Sequence, residues 1–340
     1  MNPNTPLSPR PLHHLSDVRH RVLTSRQLRE HGMSGADLSE RCRPGGPWQQ
    51  LLPGVYLLHP GPATSEERLH AALMYTIPRT YVPAQPGPSG PYGEAMVTGL
   101  AALALHRFTS APPLLALDRI DVLVPRTRRL RSTGFVRLLR AHALPRARTV
   151  TGLPVAPVAR ALADAVAQLT DAAAVRRLLT EAVRGGHCEA TAVVRELARA
   201  QLLGRPYIAE AVDALLAEGR ALAEGLMYGM VRDHALPAPL WNVELRMPGG
   251  PLLGAVDAYW PDHAVAADID MRGAHEGEDG ALWSEQSRKR EHLERLGITV
   301  VRITPKRLRE AAEEQAAVVR TALVASADRE PAPYVVVLPR

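Results

Sequence analysis

The residues best suited to chemistry lie together near the C-terminus. In GAVDAYWPDHAVAADIDMRGAH, residues 254–275, two β-type runs flank Pro261-Asp262-His263. A hairpin with its tip at 262 and 263 puts Asp257 directly opposite Asp268. Asp268 and Asp270 are two apart on one strand and share a face of the sheet, so three carboxylates are expected on one patch. Like charges across strands repel. A fold that keeps them must hold a cation, raise a pKa or leave them solvated. A hard divalent ion is the simplest answer. Mg²⁺ takes oxygen ligands from one or two carboxylates, keeps several waters, and can polarise a phosphodiester while activating one of those waters. The ordinary alternative for Asp257 and Asp268 is a pair of sheet-edge charges.

The elements around these acids are legible from punctuation and periodicity. A helix is expected after the hairpin, closed by Gly297 before the strand GITVVRI. Arg288, Lys289 and Arg290 fall on that helix, as a DNA contact or a solvated basic face. Much earlier, Thr24-Ser25-Arg26-Gln27 has the spacing of a capping box and opens a short helix to about His31, ended by Gly32. Ser34-Gly35-Ala36-Asp37 repeats the signal for a second helix through Leu38 and Cys42, stopped by Pro44-Gly45-Gly46. Trp48–Leu52 and Val55–His59 then read as β-runs around a type II turn at Pro53-Gly54. This is the order of a helix-turn-helix followed by a wing.

Residues 80–93 (TYVPAQPGPSGPYG) are dense in Pro and Gly and read as an exposed loop marking a boundary or insertion. A helix in MVTGLAALALHRF, a strand in RIDVLVP and an arginine-rich run follow. Arg126, Arg128, Arg129, Arg131, Arg137, Arg140, Arg146 and Arg148 fall within 23 residues. GFVRLLRAH, read as a strand, presents Arg137 on one face and Arg140 on the other, as a phosphate-facing surface or a solvated ribbon. Leu162, Val166 and Leu169, then Leu178, Leu179 and Ala182, recur at helical spacing and belong to scaffold or dimer contacts.

A chain of 340 residues, 46% hydrophobic and 22% charged, can bury a sizeable core and is long enough for two or three compact units. Its net charge of +6 divides unevenly. Residues 1–150 carry 19 Lys/Arg against 9 Asp/Glu, and residues 151–340 carry 22 against 26. The basic N-terminal part has the balance of a polyanion binder, since neutralising phosphates releases condensed counterions. Two cysteines without a CxxC pair exclude a disulfide framework and a cysteine zinc site. No long apolar window and no signal-like N-terminus point to the cytoplasm and away from membranes. The Walker GxxxxGK[ST], strand-linked GxGxxG and GxSxG patterns are missing, which disfavours P-loop ATPases, dinucleotide enzymes and α/β-hydrolases.

Two resemblances sharpen this reading. TSRQLREHGMSGADLSERCRPGGPWQQLLPGVYLL resembles the winged-helix N-terminal domain of AbiEi-type antitoxins, the abortive-infection transcriptional regulators, with the GVY wing carrying most of the likeness. GLPVAPVARALADAVAQL and the helices after it resemble the middle of the same group. Residues 221–324 look like the PD-(D/E)XK nuclease superfamily, in the branch similar to very-short-patch-repair endonucleases. That resemblance implies metal-assisted phosphodiester cleavage. Asp257 and Asp268 would hold Mg²⁺, Glu224 in LAEGLMYGMV would orient a metal-bound water, and His275 in RGAH would polarise a phosphate or act as base. Asp270 stands where the usual motif has lysine, Asp268 where a longer Glu is expected, and Met271 where relatives carry Gly or Ser.

The expected fold is therefore α/β in the broad α+β, multidomain sense. It has a winged helix-turn-helix at 15–62, a central α/β regulator-like region at 63–204, and a restriction-endonuclease-like mixed sheet flanked by helices at 205–340. Double-stranded DNA is the expected partner, gripped through Arg26, Arg41, Arg43, Arg126, Arg128, Arg129, Arg131, Arg288, Lys289 and Arg290. A cognate toxin or a second copy of the chain is a further candidate partner. The rival to a Mg²⁺-dependent endonuclease is a non-catalytic regulator that keeps a degenerate nuclease fold.

Overall fold

The structure, a computed structural model, describes residues 21–77, 92–271, 280–327 and 335–339. Those residues form a mixed α/β protein of eleven α-helices and three sheets. They divide into two compact units, with the boundary between Val212 and Asp213; the short stretch Glu189–Thr191 groups with the second unit.

The first unit begins with β1 (Val22–Thr24), α1 (Ser25–Glu30), α2 (Gly35–Arg41), β2 (Gln49–Leu52) and β3 (Val55–Leu57). Both helices start with the capping boxes their sequences encode. Thr24 and Gln27 exchange side-chain and backbone bonds, and so do Ser34 and Asp37. The Ser34 hydroxyl and backbone N–H hold the Asp37 carboxyl below the usual aspartate value. Gly54 takes the positive φ (78°) that the second central position of a type II turn requires. The small sheet has the order β1-β3-β2 and covers a core of Leu28, Met33, Leu38 and Trp48. Buried Glu67 ties this part together: its carboxylate accepts from the Thr64 N–H (2.9 Å) and meets His59 (3.1 Å). Burial alone pushes that carboxyl up, but the Thr64 and His59 bonds outweigh it and leave the group below its ordinary value.

The chain continues through α3 (Ser65–Thr76), β4 (Met96–Thr98), α4 (Gly99–Leu105), β5 (Ile120–Pro125), β6 (Val136–Ala141), β7 (Arg148–Val150) and β8 (Leu153–Val155). Next come α5 (Val158–Val166), α6 (Ala172–Arg184), α7 (Ala190–Arg199) and α8 (Pro206–Asp233), the last crossing the boundary between the units. The five-stranded sheet runs β6-β5-β4-β8-β7 and mixes parallel with antiparallel pairs.

Two expectations are corrected here. Met96–Thr98 is strand rather than helix: it pairs with β5, and Gly99 at φ 61° then turns the chain into α4. Most of the Pro/Gly-rich stretch lies outside the described residues, but at its end Tyr92 is buried, with its hydroxyl 2.7 Å from His70 Nδ1. Leu162, Val166, Leu178, Leu179 and Ala182 are buried, as their spacing requires.

The second unit contains the rest of α8, β9 (Leu240–Arg246), β10 (Leu252–Trp260), β11 (Val265–Ile269), α9 (Gly280–Arg295), β12 (Thr299–Ile303), α10 (Pro305–Glu310), α11 (Ala312–Ala327) and β13 (Val336–Pro339). Its sheet runs β12-β11-β10-β9-β13; β11 and β12 are parallel and the other pairs antiparallel. Alternate residues divide between two cores, as a period of two demands. Ala258, Trp260, Ala267 and Ile269 pack with Met227 and Met230 of α8 and Val319 and Leu323 of α11. Tyr259 and Ala266 pack with Leu293 of α9 and Ile298. Helices therefore cover both faces of a mixed sheet. No described helix is long and apolar enough to cross a membrane.

Candidate functional site

β10 and β11 form a hairpin around a single turn of 3-10 helix at Pro261–His263, with Ala264 in the left-handed region (φ 48°). The register pairs Trp260 with Val265, Tyr259 with Ala266 and Ala258 with Ala267. This is the alignment predicted from a tip at 262 and 263. Asp257 and Asp268 are the next positions. Here the regular ladder gives way, and the Asp257 Oδ2 itself accepts the Ile269 N–H at 2.6 Å. A carboxylate thus replaces a backbone acceptor in the sheet, which fixes Asp257 and leaves it 5% exposed.

The other oxygen of Asp257 faces α8. Arg220 reaches it at 2.5 Å and also holds Glu224 Oε1 at 2.9 Å, four residues along the same helix. Arg220 therefore bridges the helical glutamate to the strand aspartate. Asp268 lies beside Asp257 and is paired with Lys289 Nζ of α9 at 2.8 Å; the same ammonium also donates to the Ala255 carbonyl. Burial, reinforced by the neighbouring Asp257 charge, pushes the Asp268 carboxyl above the ordinary aspartate value, and Lys289 offsets only part of this.

Lys289 departs from its expected place. It was read with Arg288 and Arg290 as an outward basic cluster, but its side chain enters the acid pair. Gly254 makes that entry possible. A Cβ there would stand 3.0 Å from both Cγ and Cδ of Lys289, on a backbone at φ 148°. Gly254→Ala is expected to cost about 1–3 kcal/mol and to displace the Lys289 stem. Urea unfolding of Gly254→Ala, Lys289→Met and the double variant checks this: the two effects must be non-additive, and simple additivity would show that the glycine serves something else.

Asp270 also differs from expectation. Strand β11 ends at Ile269, and the Asp270 carboxylate pairs with Arg302 of β12 at 2.6 Å. Asp257 and Asp268 meet at the hairpin, while Asp270 is already neutralised by a cationic neighbour on β12. Among the described residues no group of three His, Cys, Asp or Glu side chains is placed to hold a metal ion. His275 lies outside the described residues. Sequence reading missed Arg220 entirely. Its signal was the i, i+4 spacing to Glu224, which usually marks only a surface pair.

The two carboxylates still match the hard-oxygen, partly hydrated coordination that Mg²⁺ takes, so Asp257 and Asp268 fit that ion. Arg220 competes for Asp257.

Several arginines read as phosphate contacts have internal partners. Arg137 forms a fork on buried Asp121 (2.7 Å from Nε) and also bonds Gln168. Arg128 donates to the Thr76 carbonyl, Arg140 to those of Arg128 and Leu130, and Arg126 contacts His142. Arg41 stacks 4.7 Å from the Trp48 ring centroid, Arg26 pairs with Glu30 at 3.0 Å, and Arg290 pairs with Glu294 at 2.6 Å. A dense arginine run supplies backbone carbonyls as well as charge, and the Arg140 guanidinium is satisfied on two of them. Arg43, Arg129, Arg131, Arg146 and Arg148 are exposed.

No protein-family model and no curated protein sequence matches the chain.

Proposed function

We propose that this chain is a DNA-binding protein whose second unit is a restriction-endonuclease-like domain that cleaves phosphodiester bonds with Mg²⁺. The observation that carries the reading is the placement of Asp257 beside Asp268 with Lys289 on the second of them. The nuclease resemblance implies Asp257 and Asp268 as the ion-holding pair; Asp270 stands at the motif's lysine position, and an ammonium reaches Asp268 instead from Lys289 of α9. Asp257 and Asp268 would hold the ion, which would supply polarisation of the phosphodiester and a more acidic water. Lys289 positions Asp268 and offsets part of the burial that favours its protonated form. Glu224, tied to Asp257 through Arg220, is the carboxylate available to orient the attacking water.

In the first unit, the two capped helices and the β2–β3 hairpin are read as the winged helix of an AbiEi-like regulator, with the arginine-bearing surface gripping duplex phosphates. With about four exposed arginines on phosphates, affinity is expected to fall roughly 100-fold between about 50 and 200 mM salt. Fluorescence anisotropy of a labelled duplex measures this, and a flat salt response would remove the arginines from the interface.

A second reading has a specific observation in its favour. Arg220 already neutralises Glu224 and Asp257, as expected of a nuclease fold kept for binding by a non-catalytic regulator. Calorimetric titration of the full chain with Mg²⁺ and Mn²⁺, wild type against Asp257→Asn/Asp268→Asn, followed by incubation with supercoiled plasmid, separates the two. Ion binding and nicking lost together in the variant support the nuclease. Wild-type DNA binding with no ion uptake and no nicking supports the regulator.

A further inference from the structure

One face of α8 carries Arg220, Glu224, Tyr228 and Arg232 at intervals of four, so the row that starts at the acid pair continues along the helix. Tyr228 follows Glu224 by about 6 Å of helix rise. It meets Trp241 of β9 edge to face, with ring centroids 4.2 Å apart. Trp241 is paired in register with Ala258, the neighbour of Asp257. The two rings line a hollow of about 330 Å³ together with Val231, Leu236, Pro239 and Arg232. This is the low end of the roughly 300–1,000 Å³ of small-molecule pockets, room for one planar ring system.

The surroundings are cationic where a phosphate would need them to be. Arg232 lines the hollow and, among the described residues, pairs with its neighbour Asp233 in an exposed contact (2.8 Å) that dissociates at little cost. Arg320 of α11 is held at the adjacent His234 carbonyl at 2.9 Å. Tyr228 is 40% exposed although it is a large aromatic ring. An aromatic wall with a guanidinium, that of Arg232, in its lining is the combination that holds unpaired bases, through stacking on the ring and charge on the backbone.

We infer that this hollow takes one unpaired nucleobase of a DNA strand. The second unit would then prefer single-stranded, frayed or mispaired DNA to a fully paired duplex. This rests on the proposed reading that the second unit engages DNA, but not on its being catalytic.

The test uses the full chain with an oligonucleotide carrying 2-aminopurine, presented unpaired or within a complete duplex, and compares wild type with Tyr228→Leu and Tyr228→Phe. Wild type is expected to quench the unpaired base. Tyr228→Leu should bind that strand about 5- to 150-fold more weakly, the range expected for loss of one base stack, and Tyr228→Phe should bind it as wild type does. Equal affinity in wild type and Tyr228→Leu, equal losses in both variants, or equal quenching of paired and unpaired probe would each overturn the inference. Plasmid nicking measured in parallel keeps the two questions apart. Nicking by wild type with no effect of Tyr228→Leu removes the hollow and leaves the nuclease. Tyr228-dependent binding without nicking keeps the hollow and removes the nuclease.

Discussion

Asp257→Asn is expected to lower Mg²⁺-dependent nicking by at least about 100-fold, the scale on which single groups that stabilise transition-state charge act, while duplex affinity stays at the wild-type value. Asparagine is nearly the same size and its side-chain oxygen can still accept the Ile269 N–H that Asp257 accepts at 2.6 Å. The sheet should therefore close as before, and the change removes the charge rather than the fold. Arg220 keeps Glu224 as a partner, so no guanidinium is stranded. Affinity for a fully paired duplex in the proposed reading comes mainly from the arginines of the first unit and is untouched. Plasmid relaxation and duplex anisotropy on the same preparations check both halves. Undiminished nicking in Asp257→Asn would exclude Asp257 from the chemistry, and a collapse of duplex affinity would show that the acid site itself carries the binding.

The separation between these roles follows from how each residue is held. Asp257 is fixed by backbone on one side and by Arg220 on the other, and Asp268 by Lys289 from a third element. Strands β10 and β11 and helices α8 and α9 thus converge on two carboxyl groups. Carboxylates that repel one another persist in such a place only because two cations from different helices share the charge. A divalent ion would relieve the same repulsion by taking over from Arg220, so the feature that favours the regulator reading also defines the competition that the calorimetric titration measures.

What the sequence revealed and what it hid divide along local and non-local lines. The capping boxes at Thr24 and Ser34, the turn at Gly54 and the hairpin register from Ala258–Ala267 to Trp260–Val265 were legible because each is set by residues within a few positions of one another. Met96–Thr98 misread as helix because its apolar run is short. Its pairing with β5 and β8, from distant parts of the chain, decided the outcome. Lys289 and Arg220 were hidden for the same reason: nothing near them in sequence shows that they lie against Asp268 and Asp257. Gly254 was visible only as one glycine in a strand, and the close approach it permits emerges when α9 is folded against β10. Asp270 was hidden in the same way, since nothing near it in sequence places the strand carrying Arg302 beside it.

The arginine run holds the second large expected effect, and there it concerns stability. Asp121 is buried on β5, and Arg137 of the neighbouring parallel strand forks onto both of its oxygens. Gly99 leaves room for this pair: a Cβ at that position would come within 2.5 Å of Asp121 Oδ2. Burial, with Asp164 adding its charge, pushes the Asp121 carboxyl above the ordinary value of 3.8 despite Arg137. The native state therefore holds that proton more tightly than the unfolded chain does. The site's contribution is greatest in acid and declines as pH rises through the raised value. Asp121→Ala leaves a half-buried guanidinium, still bonded to Gln168, without its carboxylate and is expected to cost about 1–3 kcal/mol at neutral pH. Removing Arg137 as well, in Asp121→Ala/Arg137→Met, should recover much of that loss, because desolvation of the pair already exceeds what its attraction returns. Urea unfolding of the four proteins at pH 7 and in mild acid closes the cycle. A double variant as unstable as the sum of its single variants would show that the two residues stabilise independently, and would return Arg137 to the surface that faces phosphate.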